Sequence, residues 1–143
     1  MKYIQYEPRH QNFINDMVQN EEYIYHLTPT NKVEKIIKYG LTPKTNNKLF
    51  KYPERIYFFL HKPSEEDCLC LMRQFYKQEL VKVKEDKKYV PYNGGYTLLA
   101  IDTEQIKTVN FSYDPNAFDA IFTTDNISPN AIEIISQIEQ NYI

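Results

Sequence analysis

Between Tyr23 and Thr28 the side chains run Tyr-Ile-Tyr-His-Leu-Thr, an alternating stretch rich in Tyr and Ile, and this predicts a β-strand over residues 23–28. Successive strand side chains point to opposite faces, so Ile24, His26 and Thr28 share one face. The period then changes. Val33, Ile36 and Ile37 recur at helical spacing, which predicts a helix capped by Thr28, with Pro29 at the first position where its missing N–H costs nothing. Gly40 supplies the stop and Pro43 prevents continuation. Ahead of the strand, Phe13, Ile14, Met17 and Val18 mark a short helix within residues 10–21. Residues 44–53 read as a polar loop. Residues 55–60 form an apolar strand, with Tyr57, Phe59 and His61 on one face and Ile56, Phe58 and Leu60 on the other. Ser64 followed by Glu65, Glu66 and Asp67 is a helix start, because a serine cap and early acids satisfy the free N–H groups and the helix dipole. Leu71, Met72, Phe75 and Tyr76 carry that helix to about Leu80.

The second half of the chain reads mostly as strands. A short strand is expected at Leu80–Val83, a turn at Asn93-Gly94-Gly95, and a buried strand at Thr97–Ile101. A short helical turn covers Asp102–Ile106. Val109–Tyr113 alternates, Asp114-Pro115-Asn116 turns the chain, and Ala120–Thr123 is another strand. Ala131–Ile135 is a last strand, given its β-branched run. Helices early and strands late argue for an α+β fold, not a wound parallel sheet. With 143 residues and no internal boundary, the chain reads as one domain spanning 1–143, with residues 1–22 as an N-terminal helical extension.

Composition narrows the function classes. The net charge is −2 and charged residues make up 25%, so there is no broad basic footprint for nucleic acid. The run Lys82, Lys84, Lys87, Lys88 is interrupted by Glu85 and Asp86 and reads as a solvated rim. Thirteen Tyr serve a core and a contact surface equally well, since a phenol buries its ring and keeps its hydroxyl wet. Cys68 and Cys70 project about 200° apart on a helix, so they do not jointly bind a metal or form a disulfide. The three histidines, His10, His26 and His61, lack metal-ligand spacing, and no metal is expected. No signal segment or membrane span is legible, so a cytoplasmic protein is expected.

Two side chains carry the candidate chemistry. His26 ends a strand, where a histidine is commonly a structural hydrogen-bonder. With Thr28 on the same face, it also suits the hydroxyls of a sugar. Tyr57 sits in an aromatic run and reads as core, yet its face, shared with His61, is the more polar one and suits a cleft wall. Stacking a flat ring on such a tyrosine is worth about 1 kcal/mol beyond burial.

Tyr25-His26-Leu27-Thr28, the helix ending Tyr39-Gly40-Leu41-Thr42-Pro43, and Arg55-Ile56-Tyr57-Phe58-Phe59 resemble the first half of the ADP-ribosyltransferase-like fold, in its histidine–tyrosine–glutamate branch. Leu98-Leu99-Ala100-Ile101-Asp102 and Phe122 to Ile132 are similar to later strands of DarT-like enzymes and RNA 2′-phosphotransferases. The likeness covers about residues 23 to 135 and implies two small, mostly antiparallel sheets around a cleft with flanking helices. It implies NAD as co-substrate and ADP-ribosyl transfer to a protein or nucleic-acid acceptor. His26 then contacts the adenosine-side ribose with Thr28 in support, Tyr57 stacks on nicotinamide, and Arg55 and His61 line the cofactor site. The third family position departs from the pattern, because no glutamate lies in Ala120–Ile127. Asp119, Asp125 and Asn126 are the nearest candidates, with Asp125 or Asn126 standing in for the acid. The phosphotransferase branch uses several Arg and His contacts to phosphate, whereas this chain has only Arg9, Arg55 and Arg73. The competing expectation is a degenerate, non-catalytic module of the same fold, with the AT-rich-genome composition associating it with phage.

Overall fold

The structure is a computed structural model, and it describes residues 8–43, 54–114 and 120–139. Helix α1 (Pro8–Gln19) precedes strand β1 (Tyr23–Pro29), a 3-10 turn (Thr30–Lys32) and helix α2 (Val33–Tyr39). Strand β2 (Ile56–Phe59) leads to the long helix α3 (Glu65–Glu85). Strands β3 (Tyr96–Asp102), β4 (Ser112–Tyr113), β5 (Ala120–Thr123) and β6 (Ile132–Ile138) follow, with 3-10 turns at Thr103–Ile106 and Pro129–Ala131. The α+β class and the early-helix, late-strand order are as the pattern predicts. The expected 44–53 loop and most of the turn after Asp114 lie outside the described residues.

All described strands join one antiparallel sheet in the order β4-β5-β2-β1-β3-β6, not the two sheets expected. The joint between β2 and β1 is thin, however. β1 and β3 pair in register from Tyr23–Asp102 to Pro29–Tyr96, and β2 and β5 from Ile56–Thr123 to Phe59–Ala120. β1 and β2 share a single registered pair, Tyr25 with Phe59. The sheet is therefore two half-sheets, β4-β5-β2 and β1-β3-β6, meeting along a short seam.

Each face of the sheet carries its own core. Ile14 and Val18 of α1 and Ile36 of α2 pack with Ile24, Phe58, Leu99 and Ile101 on one face. Cys68 and Met72 of α3 pack with Leu27, Tyr96, Leu98 and Ile138 on the other. Strand β3 lies between these layers and is buried from Tyr96 to Ile101. That is why Thr97–Ile101 reads as a continuous apolar run. A side chain such as Met72, with no exposed surface, contributes about 1.5–3 kcal/mol by leaving water.

Local chemistry fixes the element ends. Ser64 Oγ accepts from the Asp67 N–H at 3.1 Å while Asp67 Oδ2 accepts from the Ser64 N–H at 3.4 Å, a reciprocal box that starts α3. The helix then runs through Leu80–Val83 to Glu85, so the short strand expected there is a helix. Cys68 is buried and Cys70 exposed, as opposite sides of a helix require. Thr28 does not cap α2. It stays in β1, which continues through Pro29 opposite Tyr96, and the 3-10 turn intervenes before the helix. Gly40 does end α2, with φ +84°. A Cβ there would stand 2.1 Å from the Ile127 carbonyl oxygen, where Leu41 and Ile127 exchange backbone hydrogen bonds.

Candidate functional site

His26 stands at the seam. By alternation along β1 it shares the α1/α2 face with Ile24, and its ring lies 5.6 Å from that of Phe58, tilted at 54°. His26 Nδ1 is 2.7 Å from the Tyr57 carbonyl oxygen. A carbonyl only accepts, so Nδ1 carries the proton and Nε2 keeps its lone pair. Burial lowers the imidazole pKa, the Tyr57 carbonyl opposes this, and the charge of Lys32 adds to the lowering. The ring is thus a neutral, oriented acceptor on a half-buried side chain. Such a nitrogen suits a ligand hydroxyl.

Tyr57 does not join it. The Tyr25–Phe59 pair places His26 on the Phe58 face and Tyr57 on the Phe59 face. The two side chains point to opposite sides of the sheet, and the pocket expected to lie between them is not formed. What unites them is the backbone: the imidazole holds the Tyr57 carbonyl, not its ring.

The phenol belongs to a different cluster. Tyr57 OH donates to Asp114 Oδ2 at 3.1 Å and accepts from Arg55 Nη1 at 3.2 Å. Arg55 Nη1 lies 3.8 Å from the same carboxylate oxygen. The guanidinium carbon sits 3.9 Å above the Phe122 ring, which also packs tilted against Tyr57 at 5.8 Å. Arg55 is 4% exposed and Asp114 7%, whereas Tyr57 keeps 38% of its surface. Burial pushes the phenol pKa up, Arg55 pulls it down, and Asp114 raises it again. The hydroxyl therefore stays protonated and donates. Asp114 was not among the sequence candidates, because Asp114-Pro115-Asn116 reads as a turn. The signal that points to it is Arg55 itself: a guanidinium next to Ile56-Tyr57-Phe58-Phe59 needs a carboxylate once buried.

The remaining candidates disperse. Thr28 is 3% exposed and faces the interior beside Thr97, whose hydroxyl pairs with that of Thr30 at 2.9 Å. It is not presented as a sugar contact. His61 lies past the end of β2, exposed, with Nε2 3.1 Å from Glu21 Oε1. Asp125 is committed to a turn: Oδ2 accepts from the Asn110 N–H at 2.9 Å, and its own N–H donates to Thr123 Oγ1 at 3.0 Å. Thr123 Oγ1 in turn donates to the Asn110 carbonyl at 2.7 Å. Asn126 is exposed beside it. Among the described residues neither Asp125 nor Asn126 hydrogen-bonds to His26 or Tyr57. Asp119 falls outside the described residues.

Among the described residues no group of three or more His, Cys, Asp or Glu side chains gathers to hold a metal ion, and no helix is long and apolar enough to cross a membrane. No family model matches the chain, and a search of curated proteins finds no match, so any functional reading stands on this geometry and on the sequence motifs.

Proposed function

We propose that this chain is an ADP-ribosyltransferase-like domain that binds NAD and transfers its ADP-ribose to a protein or nucleic-acid acceptor. The observation that carries the binding half is the His26 imidazole. Its proton is fixed on Nδ1 by the Tyr57 carbonyl, and Nε2 is left as an acceptor for a ribose hydroxyl. The thin β1/β2 seam supports a reading of the sheet as two small sheets parted beside that imidazole. The transfer half calls for a fixed carboxylate near the carbon that loses nicotinamide, where positive charge develops.

A second reading, a non-catalytic NAD-binding module of the same fold, is favoured by two observations. Tyr57 faces away from His26, and Asp125 is spent on the Asn110 turn. Both readings share the ribose contact and differ in chemistry.

Calorimetry with NAD on the wild type and on His26→Ala tests the shared half. The expected result is wild-type binding that falls at least about tenfold in His26→Ala, the loss of one charge-free but oriented hydrogen bond in a partly dry site. A folded wild type that takes up no NAD overturns both readings. Incubation of cell lysate with the protein and isotopically labelled NAD then separates them. A label covalently attached to protein or nucleic acid supports transfer, and binding without any label leaves the module.

A further inference from the structure

We infer that the β1/β2 seam is the line along which this domain opens, and that the His26 imidazole is its latch. The inference concerns the free protein and does not depend on NAD. Sheet cohesion normally comes from ladders of backbone hydrogen bonds and from cross-strand side-chain pairs. The ladders are long on both sides of the seam: β1 with β3 over the whole of β1, β3 with β6 from Tyr96–Ile138 to Ile101–Ile132, and β2 with β5 over the whole of β2. At the seam itself only Tyr25 and Phe59 are in register. The next tie across it comes from a side chain, with Nδ1–H of His26 donating to the Tyr57 carbonyl.

The rest of the seam is held by packing and, beyond the strand ends, by the exposed His61–Glu21 pair. The His26 ring leans on Phe58, and Tyr25, Leu27 and Phe59 meet on the other face. Tyr25 and Phe59 are both only partly buried, so the one registered pair sits close to solvent. Local opening is cheapest where backbone hydrogen bonds are few and exposed. Opening here separates β4-β5-β2 from β1-β3-β6 while leaving each ladder intact. Because the latch is an imidazole whose far nitrogen is Nε2, whatever occupies Nε2 acts directly on the seam. An accepted hydrogen bond there polarises the ring and strengthens the Nδ1–H donor.

Residue-resolved amide hydrogen exchange on the free protein tests this. In the wild type, β2 amides that face β1 are expected to exchange at least about tenfold faster than β1 amides that face β3. His26→Ala is expected to speed the seam amides by about threefold to tenfold while the β3/β6 amides hold, the loss of one neutral hydrogen bond. His26→Asn, which keeps a short side-chain N–H donor, is expected to recover part of the protection. Equal protection of seam and β1/β3 amides in the wild type overturns the inference, and does so even if His26→Ala fails to fold. A uniform acceleration across all strands in a folded His26→Ala also overturns it, since the histidine is then a general stabiliser and not a latch.

Discussion

His26 and Tyr57 come from adjacent strands and touch the same peptide group, yet their surroundings differ in kind. Tyr57's hydroxyl both donates and accepts, to a carboxylate and a guanidinium that are themselves buried. His26 uses one nitrogen on the backbone and keeps the other as an acceptor on a half-buried ring. A cluster built on a buried ion pair holds a fold together, because each buried charge is costly to leave unpaired. A half-used polar group costs little to leave to water and gains from a ligand. On the α3 face of the seam Tyr57 is tied to Arg55 and Asp114, whereas on the α1/α2 face the His26 imidazole spends one nitrogen on the backbone and offers the other as an acceptor.

The sharpest way to break that comparison is to cut the cluster. Asp114→Ala leaves the Arg55 guanidinium buried without this carboxylate, and removing one partner of a buried pair costs about 3–5 kcal/mol. Denaturant unfolding of Asp114→Ala should show a large drop in midpoint. Replacing both partners, as Arg55→Met with Asp114→Leu, should recover most of it, because no buried guanidinium then remains beside the missing carboxylate. If Asp114→Ala is as stable as the wild type, the cluster is not a structural lock. Next in size is Tyr57→Phe, which removes the hydroxyl between Arg55 and Asp114 and should cost about 1–3 kcal/mol, as for hydrogen bonds to charged groups. The same variant should leave NAD calorimetry unchanged. Lost NAD affinity in a folded Tyr57→Phe would return the phenol to the ligand site and erase the division between the two faces.

Why this division was invisible in the sequence is a matter of register. Alternation within β1 puts Ile24, His26 and Thr28 together, and alternation within β2 puts Tyr57 with Phe59; both groupings stand. Which face of one strand meets which face of the next depends on the Tyr25–Phe59 pairing, and a slip of one residue would have put His26 and Tyr57 on the same side. No short hairpin turn joins β1 to β2, so local sequence does not set that register. Helix ends were legible where a side chain makes the cap, as at Ser64, and where only glycine fits, as at Gly40. They were not legible where tertiary pairing wins. Pro29 reads as a helix first residue, yet β3 holds it in the sheet. Val81 and Val83 favour a strand by propensity, yet they continue α3, and the helix ends only at Asp86. Asp125 was legible as a polar group near the family's acid position, but its engagement by the Asn110 N–H depends on a segment fifteen residues earlier in the chain.

The smallest effect expected is also the one that separates the two faces by sign. His26 has a folded pKa lowered from its ordinary value near 6.5, chiefly by burial. As the pH falls, the unfolded chain takes up that proton first. The stability due to neutral His26 is therefore full above about pH 6.5 and is lost as the pH drops through the lower folded value. Tyr57 has a folded pKa raised from about 10, chiefly by burial. Its contribution is full below about pH 10 and is lost as the pH rises through the higher folded value. Subtracting the unfolding free energy of His26→Asn from that of the wild type should give a difference that is flat at neutral pH and shrinks on the acid side. The same subtraction with Tyr57→Phe should be flat from acid to neutral pH and shrink only on the alkaline side. Acid-side NAD affinity should fall with the first curve, because a protonated Nε2 no longer accepts from a hydroxyl. A His26→Asn difference that stays constant down to pH 5 would mean that the imidazole is not the neutral, half-used group on which the contrast rests.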